Sequence, residues 1–195
     1  DGRRTPKATR EHILDIFNNI CELVQKAEEY GFATENAEVN TSVSSGIIVG
    51  PTVDEFAGVV ATAIEAENAG TKIDGETVMN AASVQLKMKL DNAETILLCG
   101  DATPDYLHNL LAYDIIQLPH HGKLDNAKRI FEKLDDPYAK TYFVSDNTGS
   151  GATSGGSDKL IEYMKQENYD PAKNTKNGVV QIPQQGLGYN SSSIR

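Results

Sequence analysis

The stretch from Ser83 to Cys99, "SVQLKMKLDNAETILLC", constrains the fold of this chain more than any other. Val84, Leu86, Met88 and Leu90 alternate with Gln85, Lys87 and Lys89 in the two-residue period of a half-covered strand. Asp91 and Asn92 supply turn chemistry and "ETILLC" runs back, so the segment reads as an antiparallel hairpin. Beyond it the pattern changes. A helix is expected to open at Pro104 and continue through Leu107, Leu110 and Leu111, followed by the buried strand "YDIIQLP" and the helix "LDNAKRIFEKL". The strand "KTYFVSD", the helix "DKLIEYMKQ" and a last strand "NGVVQIP" complete the series. A hairpin followed by alternating strands and helices predicts a layered α/β domain with functional groups at its strand ends.

Upstream, Ile13, Ile16, Phe17, Ile20, Leu23, Val24, Ala27 and Tyr30 recur at spacings of three and four, the stripe of an amphipathic helix from Thr9 to a stop at Gly31. "GIIVGP" reads as a short strand closed by Gly50 and Pro51, and a second helix fits Val53 to about Ala66. "NAGTKIDGETVMNAA" has no clear period and reads as a surface excursion. The loop "NTGSGATSGGS" lacks both G-x-x-x-x-G-K-[ST] and a correctly placed G-x-G-x-x-G, so it is read as a connecting loop rather than a phosphate cradle. The tail, residues 184–195, reads as frayed.

Composition excludes several function classes. With 39% hydrophobic residues in 195, the chain has material for a core, and one domain is expected. Its 28 acidic against 18 basic residues, a net charge of −10, argue against a surface that coats nucleic acid. The same charge is compatible with a metal-dependent nuclease, because a metal ion can supply positive charge locally. No apolar run approaches the roughly 20 residues that span a bilayer, so no membrane partner is expected. Cys21 and Cys99 sit outside any C-x-x-C pair and read as small buried thiols, consistent with a reducing, cytoplasmic compartment.

Two apolar runs end in residues that bind metals or move protons. Gly100 lets the chain turn after "TILLC", and Asp101 projects a carboxylate beyond the sheet edge; Pro119 ends the next strand and delivers His120, His121 and Gly122. Neighbouring strands would bring Asp101 and His120 into one cleft. Carboxylate and imidazole together suit zinc, manganese or iron. The plainer reading makes Asp101 an N-cap for the segment beginning at Pro104. His12 with Asp15, and His108 with Asp105, read as solvated pairs on helix faces.

"NAASVQLKMKLDNAETILLCGDA", "YDIIQLPHHG", "FVSD" and "NTKNGVVQI" together resemble the C-terminal half of a metallo-β-lactamase-fold hydrolase, of the type related to the hydrolase domain of DNA-uptake channel proteins. The resemblance implies an αββα sandwich, of which residues 1–183 would form the C-terminal portion and 184–195 a flexible tail. It also implies a dinuclear site, with two zinc or manganese ions holding an attacking hydroxide. Asp101 matches the bridging ligand and His120 the late histidine ligand; His121 matches a substrate-facing or supporting position; Asn80 and Ser83 match positions that shape the hairpin. The implied substrate is a phosphodiester or a related small phosphoester.

The chain also departs from that pattern. The family's H-x-H-x-D-H cluster occurs nowhere in the sequence, Lys123 stands where serine is usual, and "ATSGGSDKL" replaces a common His-Pro. The chain is therefore expected to be the C-terminal part of a longer enzyme that needs its missing N-terminal half or a partner chain. The alternative is a degenerate, non-catalytic interaction module. The fragment reading is favoured because Gly100, Asp101, Pro119, His120, His121 and Gly122 remain together. Alone, such a half would bind metal weakly or not at all, and its exposed sheet would favour homo-oligomers.

Overall fold

The computed structural model describes residues 6–34, 37–65, 72–146 and 156–182. Most of the glycine-rich loop, the tail 184–195, residues 66–71 and the side chain of His12 lie outside the described residues. The fold is α/β. Seven strands form one mixed sheet in the order β1 (Ser42–Val43), β2 (Gly46–Gly50), β5 (Gln85–Lys89), β6 (Thr95–Leu98), β7 (Ile115–Gln117), β8 (Thr141–Val144) and β9 (Lys173–Asn174). Neighbours from β1 to β6 pair antiparallel, and those from β6 to β9 pair parallel. The hairpin expected from the alternation is β5–β6, with Leu86 opposite Leu98 and Met88 opposite Ile96.

The helices are α1 (Pro6–Glu29), α2 (Val53–Glu65), the short α3 (Val78–Ala81), α5 (Leu124–Glu132) and α6 (Asp158–Gln166), with a single irregular turn, α4, at Pro119–Gly122. Leu97, Cys99, Ile116, Leu118, Tyr142 and Val144 from the sheet pack with Ala127, Ile130 and Phe131 of α5 and Leu160 and Met164 of α6. Each large apolar side chain buried there contributes about 1.5–3 kcal/mol over its exposed state. The strand register puts Ile48, Leu86 and Leu98, and likewise Met88, Ile96 and Ile115, on the other face. There Leu86, Met88 and Leu98 are only half-buried.

Several sequence expectations need correction. Between Pro104 and Ala112 the chain forms two 3-10 turns, Pro104–Tyr106 and Leu110–Ala112, instead of one helix. Asn109 interrupts them in the left-handed conformation at φ 52°, which asparagine tolerates better than most residues. Residues 177–182, the described part of "NGVVQIP", do not form a strand. The parallel partner of β8 is Lys173–Asn174, after which the Asn174 side chain accepts from the Lys176 amide and Gly178, at φ 126°, turns the chain away. Val179 is consequently exposed. In β5 the alternation is only partly expressed. Val84 lies in solvent, while Gln85 is buried because its Nε2 donates to the Tyr106 carbonyl at 2.9 Å. Cys99 is a buried free thiol as expected, but Cys21 is exposed on α1.

Of the segment read as a surface excursion, residues 72–82 are structured. Lys72–Ile73 (β3) and Glu76–Thr77 (β4) pair antiparallel around a two-residue turn, Asp74 at φ 53° and Gly75 at φ 81°. Thr77 then caps α3, accepting from the Asn80 amide at 3.2 Å. An ionic network pins the turn to the body. Arg129 on α5 bridges Asp74 at 2.6 Å and Asp105 at 2.7 Å, and the Thr103 hydroxyl donates to Asp74.

Candidate functional site at the ends of two parallel strands

β6 and β7 are adjacent and parallel, so their carboxyl ends deliver Asp101 and His120 to the same sheet edge. The backbone ties these ends together, since the His120 amide donates to the Gly100 carbonyl at 3.2 Å. Gly100 adopts φ 53°, and the Ala102 amide closes a turn onto the Cys99 carbonyl. Gln117 of β7 braces that turn by accepting from the amides of Cys99 and Gly100 at 2.8 and 3.2 Å. Burial, with the Asp101 charge adding to it, pushes the Cys99 thiol up, so Cys99 is an inert core group here.

Asp101 does not act as an N-cap. The cap position of the following 3-10 turn is Thr103, without a side-chain cap bond. Among the described residues no hydrogen bond or ion pair engages the half-buried Asp101 carboxylate.

His120, His121 and Gly122 are three successive residues with positive φ, at 54°, 56° and 78°. Each left-handed non-glycine residue costs on the order of 1–2 kcal/mol, so two adjacent histidines in this state store strain that the surroundings must hold. Pro119 is buried at the start of the turn, and Gly122 lies where an added Cβ would come within 2.9 Å of Val144 Cγ1 and 3.0 Å of Leu160 Cδ2. Only glycine meets both demands at Gly122.

Both imidazoles are anchored through Nδ1. His121 Nδ1 lies 2.7 Å from the Ser145 carbonyl, and His120 Nδ1 lies 2.8 Å from Glu76 Oε2. A carbonyl can only accept, so His121 carries its proton on Nδ1. The Asn80 amide nitrogen lies 3.4 Å from His120 Nδ1, a longer and weaker contact than that of Glu76. Glu76 is almost wholly buried, and its Oε1 accepts from Lys123 Nζ at 2.7 Å and Asn126 Nδ2 at 2.9 Å. Burial alone would push the Glu76 carboxyl up, but the hydrogen bonds from Lys123 and Asn126, the charge of His120 whenever that ring is protonated, and the charge of Lys123 hold it below the usual range. Lys123 is thus the counter-charge of this carboxylate.

The other sequence candidates fall outside this group or at its rim. Asn80 reaches His120, and Ser83 sits beside Gly100, 3.4 Å from where its Cβ would stand, so both flank the site. The carboxylate that leads into β7, Asp114, belongs to no site: it lies at the strand's opposite end, where Oδ2 accepts from the Thr95 amide and hydroxyl at 2.8 and 3.0 Å. His108 pairs with Glu55 of α2 at 2.6 Å and not with Asp105. Sequence reasoning missed Glu76 and Gln117. The Asp74–Gly75 dipeptide between Ile73 and Thr77 was a legible hairpin signal that would have located Glu76 on a strand.

The donor types are ones a divalent ion can use: the Asp101 carboxylate, and two imidazoles whose Nδ1 is engaged by Glu76 and by the Ser145 carbonyl, which would leave Nε2 to ligate. The number of donors is small. Among the described residues no three His, Cys, Asp or Glu side chains converge so as to hold a metal. No helix among the described residues is long and apolar enough to cross a membrane. Comparisons with protein-family models, with curated proteins and with solved structures return no match for this chain.

Proposed function

We propose that this chain carries the late-ligand end of a metal-dependent phosphoester hydrolase of the metallo-β-lactamase type, and that another segment or chain supplies the remaining ligands. The observation that carries the reading is the junction of Gly100–Asp101 with strained His120–His121 at adjacent parallel strand ends, joined by the His120 amide and the Gly100 carbonyl. The uncommitted Asp101 carboxylate supports it, because a capping role is the plainest competitor and Asp101 does not fill it. The second sheet face supports the sandwich. Half-buried Leu86, Met88 and Leu98 suit coverage by a further sheet about 10 Å away.

In this reading Asp101 and His120, the latter through Nε2, would help to hold the metal, and His121 would face the substrate or leaving group. Bound zinc or manganese would supply a nucleophile at neutral pH and charge stabilisation for a phosphoryl centre. The test is hydrolysis of bis(p-nitrophenyl) phosphate by the natural full-length protein with zinc or manganese. Asp101→Ala should lower kcat at least about a hundredfold, and unchanged activity would overturn the reading.

A second reading, a non-catalytic interaction module, is favoured by α1. Ile20, Leu23 and Val24 share one face of that helix and are 53%, 68% and 37% exposed. It predicts no hydrolysis, and no effect of Asp101→Ala on partner capture.

A further inference from the structure

We propose that Glu76 is a positioning residue, which fixes His120 in the Nδ1–H tautomer and thereby keeps Nε2 as the bare, ligating nitrogen. The inference concerns the imidazole itself; its consequence for metal binding rests on the function proposed above.

The geometry divides the Glu76 carboxylate between two tasks. Oε1 is taken by two donors, Lys123 Nζ at 2.7 Å and Asn126 Nδ2 at 2.9 Å, while Oε2 faces His120 Nδ1 at 2.8 Å. A buried carboxylate is tolerable only when paired and hydrogen-bonded, and Lys123 supplies the charge. An ionised carboxylate can only accept, so Nδ1 must donate, and a neutral imidazole then has its lone pair on Nε2. Because Lys123 already balances Glu76, the pair does not require a protonated imidazole.

Glu76 reaches this position through sequence-encoded steps. The Asp74–Gly75 turn, held by Arg129 and Thr103, folds β4 back beneath the histidine turn. His121, one residue on, has an independent anchor in the Ser145 carbonyl and so serves as an internal control.

Glu76→Gln separates positioning from packing. The amide oxygen of glutamine will stay with the Lys123 ammonium and the Asn126 amide, which turns its NH2 toward His120. Nδ1 must then accept, and the proton moves to Nε2. The experiment is long-range ¹H–¹⁵N correlation of the histidine rings in this chain without metal, recorded at a pH where the ring ¹⁵N shifts themselves report the neutral form. The expected result is Nδ1–H for both His120 and His121 in the wild type, and reversal to Nε2–H for His120 alone in Glu76→Gln. An Nε2–H tautomer for His120 in the wild type would overturn the proposal, even if the variant fails to fold. So would an unchanged Nδ1–H signal in a folded variant. Zinc affinity of the full-length protein should fall about 10–100-fold in Glu76→Gln. Tautomer reversal with unchanged zinc affinity would uphold the role of Glu76 and overturn the ligand reading of His120.

Discussion

The His120 amide donates to the Gly100 carbonyl at 3.2 Å, so the residue before Asp101 and the first histidine of the pair are joined through their backbones. The bond links the ends of two parallel strands whose side chains already share a core. Movement of either end therefore moves the other, and a site built across them inherits the rigidity of the sheet.

Gly122 should be the least replaceable residue of the histidine turn. Its φ of 78° and the 2.9 Å approach to Val144 predict that Gly122→Ala costs about 2–4 kcal/mol, from backbone strain and overpacking together. Gly58, inside α2 with open space around it, should respond in the opposite sense, with Gly58→Ala gaining about 0.5–1 kcal/mol. Urea denaturation of the two variants reads both signs. Equal shifts would contradict the assignment.

Asp74 gives a pH-dependent contribution. Burial pushes its carboxyl up, but the Arg129 and Thr103 hydrogen bonds and the Arg129 charge hold it below the usual range. A carboxyl depressed by folding stabilises above its unfolded value, near 4 on the ordinary scale of about 3.9, and that stability is lost as pH falls through the folded value. Asp74→Asn should therefore be less stable than the wild type by about 1–2 kcal/mol at neutral pH. The gap should shrink as pH falls below about 4. A gap that widens in acid would contradict the Arg129 pairing.

The exposed face of α1 should govern association. Replacing Ile20 and Leu23 together by lysine removes apolar surface that is 53% and 68% exposed. Sedimentation should show a larger monomer fraction with an unchanged urea midpoint. A lower midpoint would mean that these side chains pack within the fold and are no docking face.

Much of the fold is legible in the sequence where one period dominates. β5 and β6 follow from alternation and turn residues, and β7 and β8 from short apolar runs. Where a few apolar residues can satisfy more than one backbone, the reading fails. Leu107 and Leu110 are buried as helix residues would be, yet the chain reaches them through two 3-10 turns broken at Asn109. The Val179–Ile182 run has strand composition, but Gly178 directs it away from β8. Asp101 and His120 could be singled out because turn residues mark the strand ends. Glu76 could not, because its meaning comes from Lys123, Asn126 and His120, which tertiary folding alone brings to it. An isolated glutamate in a polar stretch is ordinarily solvated.

The central claim, that Asp101 and His120 form one metal-ligating end, is tested most directly by titrating this chain with substoichiometric Mn²⁺ and following paramagnetic broadening by NMR. Two or three donors bind weakly, so stoichiometric zinc should not survive dialysis, but fast exchange still reports the location. The account predicts broadening that begins at Asp101 and His120, extends to His121, and disappears in Asp101→Ala. Broadening centred elsewhere, or a wild-type pattern that persists in Asp101→Ala, would contradict it.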